Sequence, residues 1–235
     1  MAVTKRYTVP KFWSVKLKEN KYVVSPVPGP HSKMQCIPIG IVLRELLHHA
    51  RTMKEAKDIL GRGAVRVNGL VRKEHGFPVG LMDVINLDGD FYRVLPGARG
   101  LYLLKIDAGD ADVRLARIRN KVHTKKKRLQ LNLHDGSNIL AAKDDYRTSD
   151  VVAISIEQKT IKNVIRFEKG SLAIVTGGHN SGIRGTIEAI DKKLKTVVLA
   201  SGEKKLLVPI RYVFVVGTDK PAVNIGEGQK EAGGA

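Results

Sequence analysis

The chain has 235 residues, with 41 Lys+Arg against 23 Asp+Glu and a formal net charge of +18 at pH 7. At 43% hydrophobic it can build real cores over one to three domains, yet no run of about 18 apolar residues offers a membrane span, residues 1–10 lack an apolar signal region, and a lone cysteine, Cys36, excludes a disulfide framework or a cysteine-rich zinc module. A charge surplus this large points to nucleic acid, since a membrane-surface protein would need a basic amphipathic helix and 113–134 shows no clean apolar stripe.

Residues 1–36 read as a basic N-terminal arm. Lys5, Arg6, Lys11, Lys16, Lys18, Lys21 and Lys33 face a single acid, Glu19, and Pro26, Pro28 and Pro30 interrupt any regular element. Such an arm is expected to order only against a partner. Phe12 and Trp13 follow Lys11 directly. Their rings either stack on bases among those charges or, as is usual for tryptophan, pin the arm to the protein's own core.

Residues 37–106 read as two helices followed by strands. Ile39, Val42, Leu43, Leu46, Leu47 and Ala50 recur at helical spacing, with Arg44, His48 and Arg51 on the opposite face. Thr52-Met-Lys-Glu55 is a capping box for a second helix. That helix buries Ala56, Ile59 and Leu60 and is expected to end with Gly61 in the left-handed conformation. Residues 64–73 read as a hairpin about an Asn68-Gly69 type I′ turn. Strands are expected at 82–87, 91–95 and 101–106, with Asp88-Gly89 as a turn. Arg44, Arg51, Lys54, Arg62, Arg66, Arg72 and Lys73 would then meet phosphates together, and guanidinium groups suit two-pronged phosphate contact. The plainer alternative is a solvated helix face with Glu45 and Glu55 as local partners.

Residues 107–168 are expected to form a central β-rich domain with strands at 151–156 and 164–167. Within it, 113–134 holds Arg114, Arg117, Arg119, Lys121, Lys125, Lys126, Lys127 and Arg128 and no acid. So dense a run of like charge in a folded region calls for a polyanion. Residues 169–217 show strands at 172–176, 185–190, 196–200 and 205–209, spaced as in a small barrel. Residues 218–235 read as a flexible glycine-rich tail. The expected fold class is α+β, mostly β, in several modules.

Thr176-Gly177-Gly178-His179-Asn180-Ser181-Gly182 is spaced like a phosphate loop. Ile183-Arg184 follows where nucleotide hydrolysis would need Lys and then Ser or Thr, so that chemistry is set aside. Gly177, Gly178, His179, Asn180 and Arg184 remain as RNA contacts through exposed backbone N–H groups, unless the glycines serve only tight turns.

Several strings resemble known families. The segment Gly61-Arg62-Gly63-Ala64-Val65-Arg66-Val67-Asn68-Gly69, after a helix pair, resembles the alpha-L RNA-binding motif of bacterial-type ribosomal protein four, pseudouridine synthases and tRNA synthetases. The glycine pattern over 175–187 resembles the KOW motif, which implies an SH3-like barrel that binds RNA or protein. Lys5-Arg6, Pro10-Lys11-Phe12-Trp13, Pro28-Gly29-Pro30-His31 and Cys36-Ile37-Pro38 are similar to the N-terminal signature of the e-type (archaeal and eukaryotic) small-subunit ribosomal protein four family. Phe77-Pro78-Val79-Gly80-Leu81-Met82-Asp83-Val84-Ile85 and 170–185 are similar to its later segments, and the likeness runs over residues 5–217. Ser32 stands where that family places a basic residue, with Lys33 beside it.

The resemblance implies a structural, non-catalytic constituent of the small subunit, binding small-subunit rRNA beside neighbouring ribosomal proteins in the cytoplasmic ribosome. It implies no cofactor, metal, membrane or small-molecule substrate. Lys5, Arg6, Lys11, Trp13, His31 and Lys33 are the RNA-contact candidates of the arm. One rival is an RNA-modifying enzyme: pseudouridine synthases carry a Gly-Arg-Leu-Asp string, which Gly80-Leu81-Met82-Asp83 approaches without its arginine. The other is a KOW-containing elongation factor. Cys36 and His31 have no orienting acid at hand in the sequence, so Cys36 reads as a packed cysteine. Adjacent His48 and His49 point to different helix faces and cannot share a metal.

Overall fold

The computed structural model describes residues 3–16, 18–124, 128–141, 144–202 and 204–226. Lys125, Lys126 and Lys127 lie outside the described residues. The chain divides into two compact units: one takes the residues up to Val94 with Leu101–Ala111, the other Leu95–Gly100 with those from Asp112 onward.

The first unit opens with β1 (Val3–Lys5) paired antiparallel to β2 (Tyr22–Val24) in the register Val3↔Val24, Thr4↔Val23, Lys5↔Tyr22. Strand alternation turns Thr4 and Val23 inward and leaves Val3, Lys5 and Tyr22 exposed. The N-terminal stretch does not wait for a partner to order. Val9, Trp13, Val15 and Val23 are buried in one core with Ile37, Ile39, Leu43 and Leu60, because apolar side chains at those positions gain more from leaving water than the basic ones lose. Trp13 is 1% exposed and its indole Nε1–H donates to the Cys36 carbonyl at 2.8 Å.

After β3 (Cys36–Pro38) come a helical turn, α1 (Ile39–Ile41), and a π-helical stretch, Val42–Leu46. The first helix stops short of Ala50, since His48 turns at φ +55°. Then α2 (Met53–Gly61) starts at Thr52, whose Oγ1 accepts the Glu55 N–H at 3.2 Å. The Glu55 carboxylate accepts from the Arg51 N–H at 2.8 Å, a residue before the position a capping box prescribes. The left-handed residue after α2 is Gly63 (φ +79°), not Gly61.

The hairpin β4 (Val65–Val67) and β5 (Leu70–Val71) turns on Asn68 (φ +49°) and Gly69 (φ +78°), as a type I′ turn demands. Next, β6 (Pro78–Gly80) pairs with β3. The strands β7 (Val84–Leu87), β8 (Asp90–Gly97) and β9 (Gly100–Ile106) complete a sheet of order β5-β4-β7-β8-β9. A short helix, α3 (Ala108–Ala111), follows. The strand expected at 82–87 begins two residues late, because Met82 lies at φ +64° and cannot extend a ladder.

The second unit holds two five-stranded antiparallel sheets. In the first, β10 (Val113–His123), β11 (Leu129–Leu133), β12 (Asn138–Ala141), β13 (Val151–Ser155) and β14 (Ile161–Ile165) take the order β12-β11-β10-β13-β14. Ala116, Ile118, Leu129, Leu131 and Leu133 pack there with Val152 and Ile154. In the second, β15 (Leu172–Val175), β16 (Arg184–Asp191), β17 (Thr196–Ser201), β18 (Lys204–Pro209) and β19 (Val213–Gly217) take the order β18-β17-β16-β15-β19. The expected strands did not include β1, β2, β3, β6, β10, β11 and β12 or, last in the chain, β19. That last strand is buried along its whole length, so it carries none of the alternation that marks a half-exposed strand. The C-terminal stretch also departs in part from a flexible tail: Val223 and Ile225 are buried, and the Ala222 N–H donates to the Val216 carbonyl at 2.8 Å. The fold is predominantly β with few helices.

Candidate nucleic-acid interface

A buried carboxylate holds the turn of the basic hairpin. Asp83, 2% exposed, accepts hydrogen bonds from Asn68 Nδ2 (2.8 Å) and the Gly80 N–H (2.9 Å), and its Oδ2 lies 2.9 Å from His31 Nε2. Asn68 Oδ1 accepts the Val84 N–H at 3.0 Å. Burial pushes the Asp83 carboxyl up. The His31 charge and the hydrogen bonds from His31, Gly80 and Asn68 outweigh it, so the group sits below the usual carboxylate range.

His31 is therefore withdrawn as an RNA contact, since its side chain is 4% exposed and serves Asp83. Gly80 is obligatory here, because a Cβ would lie 2.4 Å from the His31 ring, and a Cβ on Gly29 would lie 2.6 Å from Pro78 Cγ. The two signature strings at 28–31 and 77–85 thus meet in space and lock each other. Asp83 is also the acid that the sequence did not place beside His31. Enclosed and fully engaged, it has no carboxylate oxygen free to attack a base. Burial first, and then the Asp83 charge, pushes the Cys36 thiol up to about 12, so it stays protonated and unreactive.

Five cations of this region reach solvent: Arg51, Lys54, Arg62, Arg66 and Lys73. Arg51 precedes the cap of α2, Lys54 lies in its first turn and Arg62 closes it. Arg66 faces out of β4 because Val65 and Val67 face in. Two arginines are withdrawn. Arg44 Nε donates to Glu45 Oε1 at 2.7 Å. Arg72 is half-buried, its guanidinium 4.3 Å from the centre of the Phe77 ring, a cation–π contact.

In the N-terminal stretch Lys5, Lys11 and Lys33 are exposed, with Lys33 Nζ donating to Thr4 Oγ1 at 3.0 Å. Arg6 folds back, its Nε donating to the Val15 carbonyl at 3.0 Å. Trp13 is core, which removes its stacking role. Sequence reading passed over Tyr7 (76% exposed) and Tyr22 (52% exposed). Tyr22 faces out through the β1–β2 register and Tyr7 sits in the 3₁₀ turn Arg6–Thr8 that follows β1, and no short-range signal announces either.

In the second unit charge density is not charge availability. Arg114 pairs with buried Asp135, and its Nη2 donates to Ser137 Oγ at 3.2 Å. Burial raises the Asp135 carboxyl, but the Arg114 charge and the Ser137 hydrogen bonds lower it further, and the net shift is downward. Arg117 donates to the carbonyls of Arg211 (3.0 Å) and Val213 (3.2 Å) and to Ser149 Oγ (3.0 Å). Lys121 Nζ donates to Asp144 Oδ1 at 2.6 Å. Of the described cations of this run, only Arg119 and Arg128 are exposed. Arg119 sits where the β10–β11 register slips between Ile118 and Asn120, a bulge that re-aims its side chain.

Gly178 and His179 are exposed and Asn180 is half-buried. Arg184 is withdrawn, since it donates to the carbonyls of Ile225 and Gly226. The glycines of this loop have packing duties. A Cβ on Gly177 would lie 3.0 Å from the Tyr212 ring, and one on Gly182 (φ +85°) 2.8 Å from Gly97. A basic feature that sequence reading missed lies nearby: an open groove of about 540 Å³ lined by Arg117, Leu194, Lys195, Thr196, Pro209, Ile210 and Arg211. Its lysine comes from a β-turn, where a cation carries no periodic signal.

Among the described residues, no group of three or more His, Cys, Asp or Glu is placed to hold a metal ion, and no helix is long and apolar enough to cross a membrane. Solvent-facing cations on a hydrogen-bonded, mostly antiparallel frame define a scaffold for engaging a polyanion. Residues 88–161 match the family described as Ribosomal family S4e, and residues 4–34 match the RS4NT (NUC023) domain. The small ribosomal subunit protein eS4 of Methanothermobacter thermautotrophicus is 41% identical over 233 residues, covering 96% of each chain. That of Staphylothermus marinus is 38% identical over 240 residues, covering 95% of each. The crystal structure of the 30S ribosomal protein S4e from Thermoplasma acidophilum matches with a TM-score of 0.71 at 30% identity, over 78% of this chain and 96% of that one. The chain belongs to the eS4 family of small ribosomal subunit proteins.

Proposed function

We propose that this chain holds small-subunit rRNA chiefly through the cations of α2 and the β4–β5 hairpin, as a non-catalytic, structural constituent of the small ribosomal subunit. It works in the cytoplasmic ribosome, against rRNA and neighbouring small-subunit proteins. Residues 37–106 serve as an alpha-L-type module, 107–168 as a central β-rich domain and 169–217 as a KOW, SH3-like barrel. Residues 1–36 form the basic N-terminal segment and 218–235 the C-terminal one.

The observation that carries this reading is the pairing of exposed Arg51, Lys54, Arg62, Arg66 and Lys73 with a turn locked from below by Asp83. A backbone turn held before binding has less entropy to lose than a mobile one. The cations neutralise phosphates and release counterions, so affinity falls steeply with salt. A-form RNA is read there by shape and backbone rather than by base edges.

The test is binding of the full-length chain to a small-subunit rRNA transcript over a range of salt, with sucrose-gradient sedimentation of ribosomal subunits. The expected result is tight, salt-dependent binding and retention on the small subunit in moderate salt. A transient factor would wash off, and an RNA-modifying enzyme would leave pseudouridine in the transcript.

A further inference from the structure

The N-terminal hairpin carries a surface that the α2 and β4–β5 interface does not use. Cross-strand pairing sets Lys5 opposite Tyr22 with both facing solvent, while Thr4 and Val23 on the reverse side are buried. Tyr7 is 76% exposed and Tyr22 52%. Lys5 Nζ stands 5.7 Å from the centre of the Tyr7 ring, and Lys21 Nζ 5.7 Å from that of Tyr22. Two phenol rings left in water, each with an ammonium group over it, suit a ligand that has flat π faces and negative charge together. The acid of this stretch, Glu19, is engaged by Lys16 at 3.1 Å, so the surface stays cationic. A duplex would present phosphates with its bases stacked away, whereas an unpaired strand presents both bases and phosphates. An acidic protein segment would supply charge without the π faces.

Resting on the reading of the chain as an rRNA-binding protein, we propose that Tyr7 and Tyr22 form a stacking platform for unpaired nucleotides, with Lys5 and Lys21 meeting the adjoining phosphates. This surface reads single-stranded RNA. The arginine-rich hairpin surface β4–β5 reads backbone.

The full-length protein is titrated with a short single-stranded RNA containing 2-aminopurine and with a duplex of equal length, at several salt concentrations. Tyr7→Leu and Tyr22→Leu keep apolar bulk at exposed positions, and circular dichroism checks the fold. The double variant is expected to lose roughly tenfold or more in single-strand affinity and to lose the 2-aminopurine quenching. Its duplex affinity and its salt slope stay unchanged, because no charge has been removed. Lys5→Gln with Lys21→Gln instead lowers the salt slope by about one to two.

Unchanged single-strand binding by the tyrosine variants overturns the proposal, as does a loss of duplex affinity in them as large as the single-strand loss. Intact RNA binding with loss of assembly into subunits also overturns it, because that marks a protein contact. If the wild-type chain fails to bind the rRNA transcript at all, the functional reading itself falls. If it binds and the tyrosine variants match it, only the platform falls.

Discussion

Two basic regions invite comparison: the β10–β11 strand pair in the second unit and the surface of α2 with the β4–β5 hairpin in the first. The strand pair holds the denser run of cations, with no acid between residues 113 and 134. In the fold its acids come from outside that run. Asp135 takes Arg114, Asp144 takes Lys121, and backbone carbonyls take Arg117. The α2 and hairpin region looks less extreme in sequence, yet it leaves Arg51, Lys54, Arg62, Arg66 and Lys73 in solvent. A cation's worth to a polyanion is set by what else it already touches. Linear charge density does not report that.

The sharpest way to break this comparison is to reverse charge where it is free. Arg62→Glu, Arg66→Glu and Lys73→Glu together should lower affinity for the rRNA transcript by roughly a thousandfold at 0.1 M salt and reduce the salt slope by about three, with the melting temperature nearly unchanged. Retained affinity in a filter-binding titration would move the interface elsewhere. Arg72 is left out of this set, because its packing on Phe77 would mix fold with binding.

The opposite result is expected from Arg114→Ala. It leaves buried Asp135 without its partner and should cost the second unit about 3–5 kcal/mol in urea unfolding, while rRNA affinity stays within a few-fold. An effect on affinity alone would refute the structural role given to Arg114.

Asp83→Asn should cost a smaller amount, about 2 kcal/mol at neutral pH, through the weakened hydrogen bonds around His31 and Asn68. It also has a pH signature. The Asp83 carboxyl is depressed in the fold, so its stabilisation is present above the unfolded value of about 3.9 and is lost as pH falls through the lower folded value. Acid unfolding of the first unit should therefore be less steep in the variant than in the parent. Equal steepness in the two would show that Asp83 does not govern that limb. At the bottom of the scale, Lys121→Gln should leave the unfolding midpoint where it was, because the Asp144 partner is solvent-exposed and such pairs contribute little.

Much of the local structure was legible. Asn68-Gly69 and Asp88-Gly89 are turns whose backbone geometry only certain residues adopt readily, and Thr52 caps α2 by a hydrogen bond within three residues. Alternation marked β4, and short runs between turn signals marked strands within 82–106, 151–167 and 172–209. What escaped had a common cause. Buried β19 lacks alternation, and the contacts of Trp13, His31 and Arg184 span 23, 52 and 41 residues or more of chain. His31 looked like an RNA ligand because its partner, Asp83, is distant in sequence. Tyr22 went unnoticed because its exposure depends on the strand paired with it, and Tyr7 because a single 3₁₀ turn carries no periodic signal.

Composition by itself pointed this chain toward a polyanion, and short-range stereochemistry determined the Asn68-Gly69 and Asp88-Gly89 turns, the N-cap of α2 and rather more than half of its strands. Only the tertiary structure decided which cations remain for that partner. Pairing, burial and stacking are settled by residues brought together across the sheets, and a side chain already neutralised by its own fold has little left to offer RNA.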